Sequence, residues 1–137
     1  KYDYISVPKT IKKIGNKVVI AAHNETTLKN AIDYFLNDLL VAEGEGTNKV
    51  LRLKREYVSN SGIKDIITSA EQLADYQIIY AKGDASMMDY AKDLAATIEK
   101  YCGVTLKCFN DSNTVSQKEI IIGATSREES AFIKAAS

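Results

Sequence analysis

One histidine, two cysteines and a scatter of carboxylates are the side chains here whose chemistry reaches beyond packing. His23 stands beside Asn24 and Glu25, where a β-branched run gives way to a helical pattern, a junction that can hold a general base. One imidazole cannot make a His-rich metal site, and no Ser or Cys stands at a local spacing that would make it a partner. The expectation for His23 is a surface or turn role, with a small hydrolase working through it as an alternative. Asp89 and Asp93, four apart, share a helical face but have Lys82 and Lys92 within reach, the signature of a solvated face. Asp84 and Asp111 stand apart from them, and nothing in the spacing sets two carboxyls across one cleft at the roughly 5–10 Å of a glycosidase pair.

Other motifs fall short of their chemistry. Asn110-Asp111-Ser112-Asn113 resembles part of a calcium loop without the further acidic ligands, so a polar turn is expected and no metal. The glycines never form a phosphate-cradling Gly-x-Gly-x-x-Gly or Walker arrangement, and no cofactor is expected. Cys102 and Cys108 lack the Cys-x-x-Cys spacing of redox or zinc sites. They read as small buried residues, with a local bridge conceivable between a helix end and the next strand. Tyrosine is enriched, eight residues against no tryptophan. Tyr2, Tyr4, Tyr57, Tyr76 and Tyr80 fall on predicted strands, where exposed rings could stack on sugars; alternation sets Tyr76 and Tyr80 on the face of Ile78, which favours packing. A glycan- or peptide-binding surface through tyrosines such as Tyr57 is therefore a second alternative.

The elements that would position these groups are an α/β set. The 137 residues fit one domain, 1–137, with a linker-like stretch at 41–48 rich in Gly and Glu. Charge is balanced, 18 basic against 18 acidic residues, and the densest cationic cluster, Lys49, Arg52, Lys54 and Arg55, suits a sheet edge better than a nucleic-acid face. No apolar run approaches the length needed to insert in a membrane.

Strands are predicted over 2–7, 17–21, 50–54, 63–68, 76–80, 104–109 and 119–123, with a short loop or single turn over 69–75. A first helix carries Leu28, Ala31, Ile32, Phe35, Leu36, Leu39 and Leu40 on one face, capped by Asn24. A second spans about 85–102, with Asp84 or Ser86 as cap, Gly103 at its left-handed end, and Met87, Ala91, Leu94, Ala95, Ile98 and Tyr101 or Cys102 inward. Ser126-x-x-Glu129 reads as a capping box opening a short C-terminal helix through Phe132 and Ile133. The expected fold is a two-layer α/β (α+β) sandwich, a mixed sheet covered by two long helices and that short one.

The series Tyr76-x-Ile78-x-Tyr80, Ala91-x-x-Leu94-x-x-x-Ile98, Gly103-x-x-Leu106 and Glu119-Ile-Ile-Ile-Gly123-x-Thr125-x-Arg127 resembles the small non-catalytic α/β domain that precedes the catalytic barrel of β-hexosaminidases and α-glucuronidases. Similar modules accompany other domains in large, secreted bacterial proteins. The resemblance implies an accessory module of an extracellular, carbohydrate-related protein, with neighbouring domains of its own polypeptide as partners and carbohydrate as a further one. It carries over no catalytic residue, since the family's carboxylates belong to the barrel. Arg127 matches the motif, where it is expected to shape a strand-to-helix turn or, with His23 and Tyr57, to touch a ligand. In that family a segment like Gly15–Ile20 followed by Ala31–Leu36 comes after the Ile-Gly-x-Thr-x-Arg strand; here it comes before. Either the chain joins the end of one module to the start of another, or the half-modules are permuted. A sheet edge left open in this way could be filled by strand exchange in a homodimer.

Overall fold

The computed structural model describes residues 9–22, 25–43, 50–53, 55–58, 62–65 and 71–130, with the backbone alone at 9, 25, 41–43, 51–52, 55–58, 62–65 and 71. It begins with a hairpin. β1 (Lys9–Ile14) and β2 (Lys17–Ala22) pair antiparallel around Gly15-Asn16, and Gly15 takes φ 62°, which a residue without Cβ adopts at little cost. The strand expected over 2–7 lies outside the described residues. Lys9–Ile14 was not foreseen as a strand, because its two isoleucines do not alternate. Ile11 joins the main core and Ile14 packs on the opposite face.

After β2 come α1 (Glu25–Tyr34), β3 (Leu40–Glu43), β4 (Val50–Leu53), β5 (Arg55–Val58), β6 (Gly62–Asp65), β7 (Glu71–Gln72), β8 (Gln77–Tyr80), α2 (Ala85–Cys102), β9 (Lys107–Asn110) and β10 (Glu119–Ile122). One mixed sheet runs in the order β6-β5-β1-β2-β10-β8-β9, antiparallel from β6 to β2 and parallel from β2 to β9. A separate antiparallel sheet has the order β3-β4-β7. The protein is thus a mixed α/β fold, with a mixed sheet and two helices.

Both helices lie on one face of the large sheet, α1 against β1 and β2, α2 against β8 and β9. Beneath them Ile11, Val18, Ile20, Ile78, Ile120 and Ile122 meet Leu28, Phe35, Ala91, Leu94 and Ile98, all buried. Each large aliphatic side chain so enclosed contributes about 1.5–3 kcal/mol. α2 has the expected limits: Asp84 Oδ1 accepts from Ser86 N and Met87 N, and Gly103 ends the helix at φ 71°.

α1 differs from its periodicity. The pattern reads through Leu40, but the α-helix ends at Tyr34, and Phe35–Leu39 form a π turn whose wider ring closes from Leu40 N–H to Phe35 O. Wider winding brings residues four apart nearer to one line, so Phe35 and Leu39 are both fully buried, and Leu40 is released to start β3. The stretch expected as a linker from 41 is therefore strand through Glu43; 44–48 lies outside the described residues.

The opposite face of the sheet carries the alternate residues Val19, Ala21, Ile79 and Ile121. Two chain segments lie on this side, 111–118 leading from β9 back to β10, and 123–130 leading away from β10. The expected capping box does not form there. Ser126 Oγ donates to Asp111 O, Glu129 receives Lys17, and within the described residues a 3-10 turn, Glu128–Ser130, follows. Phe132 and Ile133 lie outside the described residues.

Candidate functional site

Three strands of the parallel part begin alike: Lys17-Val-Val-Ile, Glu119-Ile-Ile-Ile and Gln77-Ile-Ile-Tyr. Register turns that likeness into contact. Ile120 pairs with Val18 and Glu119 with Gln77, so Lys17, Glu119 and Gln77 stand side by side on β2, β10 and β8. Alternation places all three on the face of Val19, Ile79 and Ile121, away from the helices. A polar rung thus closes one end of an otherwise apolar face.

Arg127 completes the rung from the segment above. Gly123, at φ 81°, turns the chain out of β10 and donates its N–H to Ile20 O at 2.7 Å. Thr125 Oγ1, hydrogen-bonded to Ser130 Oγ at 2.8 Å, accepts Arg127 N–H at 3.1 Å, which tightens the turn. The guanidinium then reaches back eight residues. Nε meets Glu119 Oε1 and Nη2 meets Glu119 Oε2, both at 3.0 Å, the paired geometry in which Arg binds carboxylate best.

The carboxylate of Glu119 is fully buried and saturated. Oε1 also receives Lys17 Nζ at 3.2 Å; Oε2 also receives Gln77 Nε2 at 2.7 Å and Ser116 N at 3.2 Å. Two oxygens offer about four lone-pair sites, and five donors address them. Lys17 Nζ is shared with Glu129 Oε1 at 3.2 Å, so two acids and two bases balance with no net charge. Burial pushes the Glu119 carboxyl up, but the donors of Arg127, Gln77, Ser116 and Lys17 together outweigh it and hold the group below the usual carboxylate range. Glu119 is therefore ionised at neutral pH, with no lone pair left to take a proton from a substrate.

What the cluster does is hold backbone. Arg127 also donates to Asp111 O at 3.1 Å and Thr114 O at 3.5 Å, and Gln77 Nε2 reaches Thr114 O at 3.4 Å, so both overlying segments are tied to the rung. Tyr76 OH donates to Asn16 O at 2.6 Å and ties the hairpin turn to the entry of β8. An open hollow of about 440 Å³ lies outside, between Asn16, Val115–Gln117 and Glu129.

At the other end of the parallel strands, where open α/β sheets take their ligands, the backbone donors are occupied by the protein's own acids. Asp111 Oδ1 accepts Lys82 N at 3.0 Å and Oδ2 accepts Ser126 N at 2.8 Å, bridging the loops after β8 and β10. Burial pushes the Asp111 carboxyl up, and the hydrogen bonds from Ser126 and Lys82 outweigh it, leaving it below its ordinary value. Asp84 fills the first amides of α2 in the same way. Amides that could cradle a phosphate are thus closed by Asp84 and Asp111 beside a shallow hollow of about 330 Å³.

Of the residues singled out from sequence, Arg127 is 6% exposed inside the rung. Tyr57 lies on β5, its backbone in register with Ile11 and Ile63, and its side chain lies outside the described part. His23 is outside the described residues. Of the three, only Arg127 has its side chain within the described residues. Cys102 and Cys108 are unbridged; burial pushes the Cys108 thiol up despite the opposing charge of Lys92, and its Sγ lies 3.3 Å from Ala91 O. Among the described residues no three His, Cys, Asp or Glu are placed to share a metal, and no helix is long and apolar enough to cross a membrane.

Comparison with protein-family models, curated proteins and solved structures gives no match.

Sequence reasoning overlooked Lys17, Gln77 and Glu119, the centre of the cluster. The available signal was the repeated form of the three strands, one polar residue followed by an apolar trio.

Proposed function

We propose that this chain is a non-catalytic accessory module of a larger extracellular, carbohydrate-related bacterial protein, where it supports or positions a neighbouring domain of the same polypeptide. The observation that carries this reading is the commitment of Glu119. Its carboxylate, the most deeply buried acid among the described residues, spends all its hydrogen-bonding capacity on Lys17, Gln77, Ser116 and Arg127. The resemblance of the Glu119–Arg127 motif to the domain before the barrel of β-hexosaminidases and α-glucuronidases points the same way, and supplies the extracellular setting.

On this reading the two halves stand in permuted order relative to that domain. The seam between them is the parallel pairing of β2 with β10, fastened by Lys17 to Glu119 and Glu129, by Tyr76 OH to Asn16 O, and by Gly123 N to Ile20 O. A hairpin from a second copy would make the same bonds, so a homodimer by strand exchange belongs to the proposal.

Two measurements test it. Purified chain, assayed against chromogenic glycosides and phosphoesters, is expected to give no turnover above background. Removal of the chain from its parent polypeptide is expected to lower the melting temperature of the adjoining region. Saturable hydrolysis by the chain alone, or an unchanged melting temperature after removal, would sink the reading.

A further inference from the structure

We propose a binding site for a short neutral oligosaccharide in the groove between α1 with its π turn and α2, with Tyr101 as stacking platform. This goes beyond the accessory role and stands whether or not the chain positions a neighbour.

Two hollows follow one another along the groove. The first, about 300 Å³, has Leu36, Leu40 and Ile98 as its aliphatic floor, Asn37 and Thr97 at its rim, and Tyr101 at its end. That is the lower end of the range for small-molecule sites. The second, about 50 Å³, shares Leu36 and Thr97 with it and continues past Lys29, Asp33 and Asp93 to Tyr90. Tyr90 and Tyr101 are eleven residues apart on α2, about three turns and so roughly 16 Å along one helical face. A ligand touching both is longer than one sugar ring.

Three features select the ligand class. Tyr101 is 73% exposed, although residues three positions earlier (Ile98) and one later (Cys102) are buried. Lys100 Nζ lies over one face of the ring, 5.4 Å from its centroid, so a sugar would stack on the other face. An exposed aromatic face is electron-rich and attracts the polarised C–H face of a pyranose.

Secondly, the lining of the first hollow is uncharged, on a chain of which 26% of residues are charged. The charge beside it is that of Lys100, over the Tyr101 ring and outside the lining itself. Thirdly, the rim is hydrogen-bonding: Asn37 is exposed, and Thr97 Oγ1, which donates to Asp93 O at 2.9 Å, keeps lone pairs for an incoming hydroxyl. An aliphatic side chain from a protein partner would take water from Asn37 and Thr97 and return nothing, a net cost. A sugar presents a C–H face to the floor and hydroxyls to the rim, and a longer ligand would run on over the shallow second hollow past Lys29, Asp33 and Asp93.

The π turn is what makes the floor. Had the α-helix run on through Leu40, that residue would continue the helical stripe; instead the chain leaves the helix there and Leu40 lines the hollow as it enters β3.

The test is calorimetric titration of the whole chain with the β-1,4-linked hexamers of glucose, xylose and N-acetylglucosamine, with ligand-observed NMR as a second readout. At least one hexamer is expected to bind saturably. Tyr101→Ala is expected to weaken that binding about tenfold and Tyr101→Phe about twofold or less, with Thr97→Val and Asn37→Ala between them. Tyr101 is exposed, so its variants keep the fold, which far-ultraviolet circular dichroism checks. A flat response to all three hexamers up to about 10 mM overturns the proposal, as does binding that survives Tyr101→Ala. Neither result touches the accessory role, which is judged by turnover and by the stability of the parent polypeptide.

Discussion

Replacing Arg127 by Met removes the guanidinium while keeping much of its volume, and isolates what the rung contributes. Four donations disappear, two to Glu119 and one each to Asp111 O and Thr114 O. Glu119 keeps Lys17, Gln77 and Ser116 N but is left fully buried with an excess of negative charge. Breaking a buried pair by taking one partner costs about 3–5 kcal/mol. With an unfolding entropy of about 2.1 cal/mol/K per residue, a chain of 137 residues shifts by about 3.5 °C per kcal/mol, so the midpoint falls by about 10–17 °C. Urea unfolding and thermal melts at pH 7 read this directly. In the double variant Glu119→Gln/Arg127→Met the remaining charges, Lys17 and Glu129, balance again, so the cost is expected to fall short of the sum of the singles by about 0.5–3 kcal/mol. The pH dependence follows from the lowered carboxyl. Glu119 titrates lower in the folded chain than in the unfolded one, where the ordinary value is about 4.3. Its contribution is therefore complete above that value and is lost as pH falls through the folded one. Glu119→Gln should flatten the acid limb of the stability curve. A cost below about 1 kcal/mol for Arg127→Met, or strictly additive singles, would refute the clamp.

Gly103→Ala, with open space around the new Cβ but φ 71°, should cost about 1–2 kcal/mol. Gly123→Ala adds to the same strain a 3.2 Å approach to Met87 Sδ, so it should cost more, and Met87→Ala in its background should recover the difference. Asp84→Ala removes the cap of α2 and should cost about 1 kcal/mol in chemical unfolding, whereas Asp111→Ala unties two loops and should also speed amide exchange at Lys82 and Ser126; equal exchange rates would count against the bridge. Neither thiol should react quickly with an aromatic disulfide reagent at pH 7, and both should react in urea, because burial keeps Cys108 protonated and Cys102 enclosed; rapid labelling of the folded chain would contradict this.

Where structure is local, the residues announced it. α2 carries its own start in Asp84, its stop in Gly103 and its inner face in Ala91, Leu94 and Ile98, all interactions within a few residues, and its limits agree with the coordinates. One choice left open, Tyr101 or Cys102, is settled by packing: Cys102 turns inward and Tyr101 stays in solvent. α1 shows the limit of periodicity. Leu36, Leu39 and Leu40 fit a helical stripe, but the stripe records which residues are apolar and not how tightly the backbone winds. The π turn answers instead to the burial of Phe35 together with Leu39. Ser126-x-x-Glu129 failed for a related reason. Both side chains had better partners far away in sequence, Asp111 and Lys17, and a distant partner leaves no mark in a four-residue window.

The rung itself lay between these cases. Lys17, Gln77 and Glu119 each look like the polar first residue of an unremarkable strand, and each taken singly predicts a solvated strand end. Parallel pairing changes their meaning, because strands laid side by side in one direction set first residue beside first residue, and three solvated ends become one row in which Lys17 and Glu119 are buried and Gln77 is half-buried. An isolated Glu in that row could not stay charged, since burial opposes ionisation. The neighbours on either side are a cation and an amide, and the segment overhead must return a second cation. Arg127, eight residues beyond Glu119 and reached through the Gly123 turn, is that return. The charge requirement of the strand ends therefore dictates the path of the chain leaving β10, and with it the cover over the face that the helices leave open.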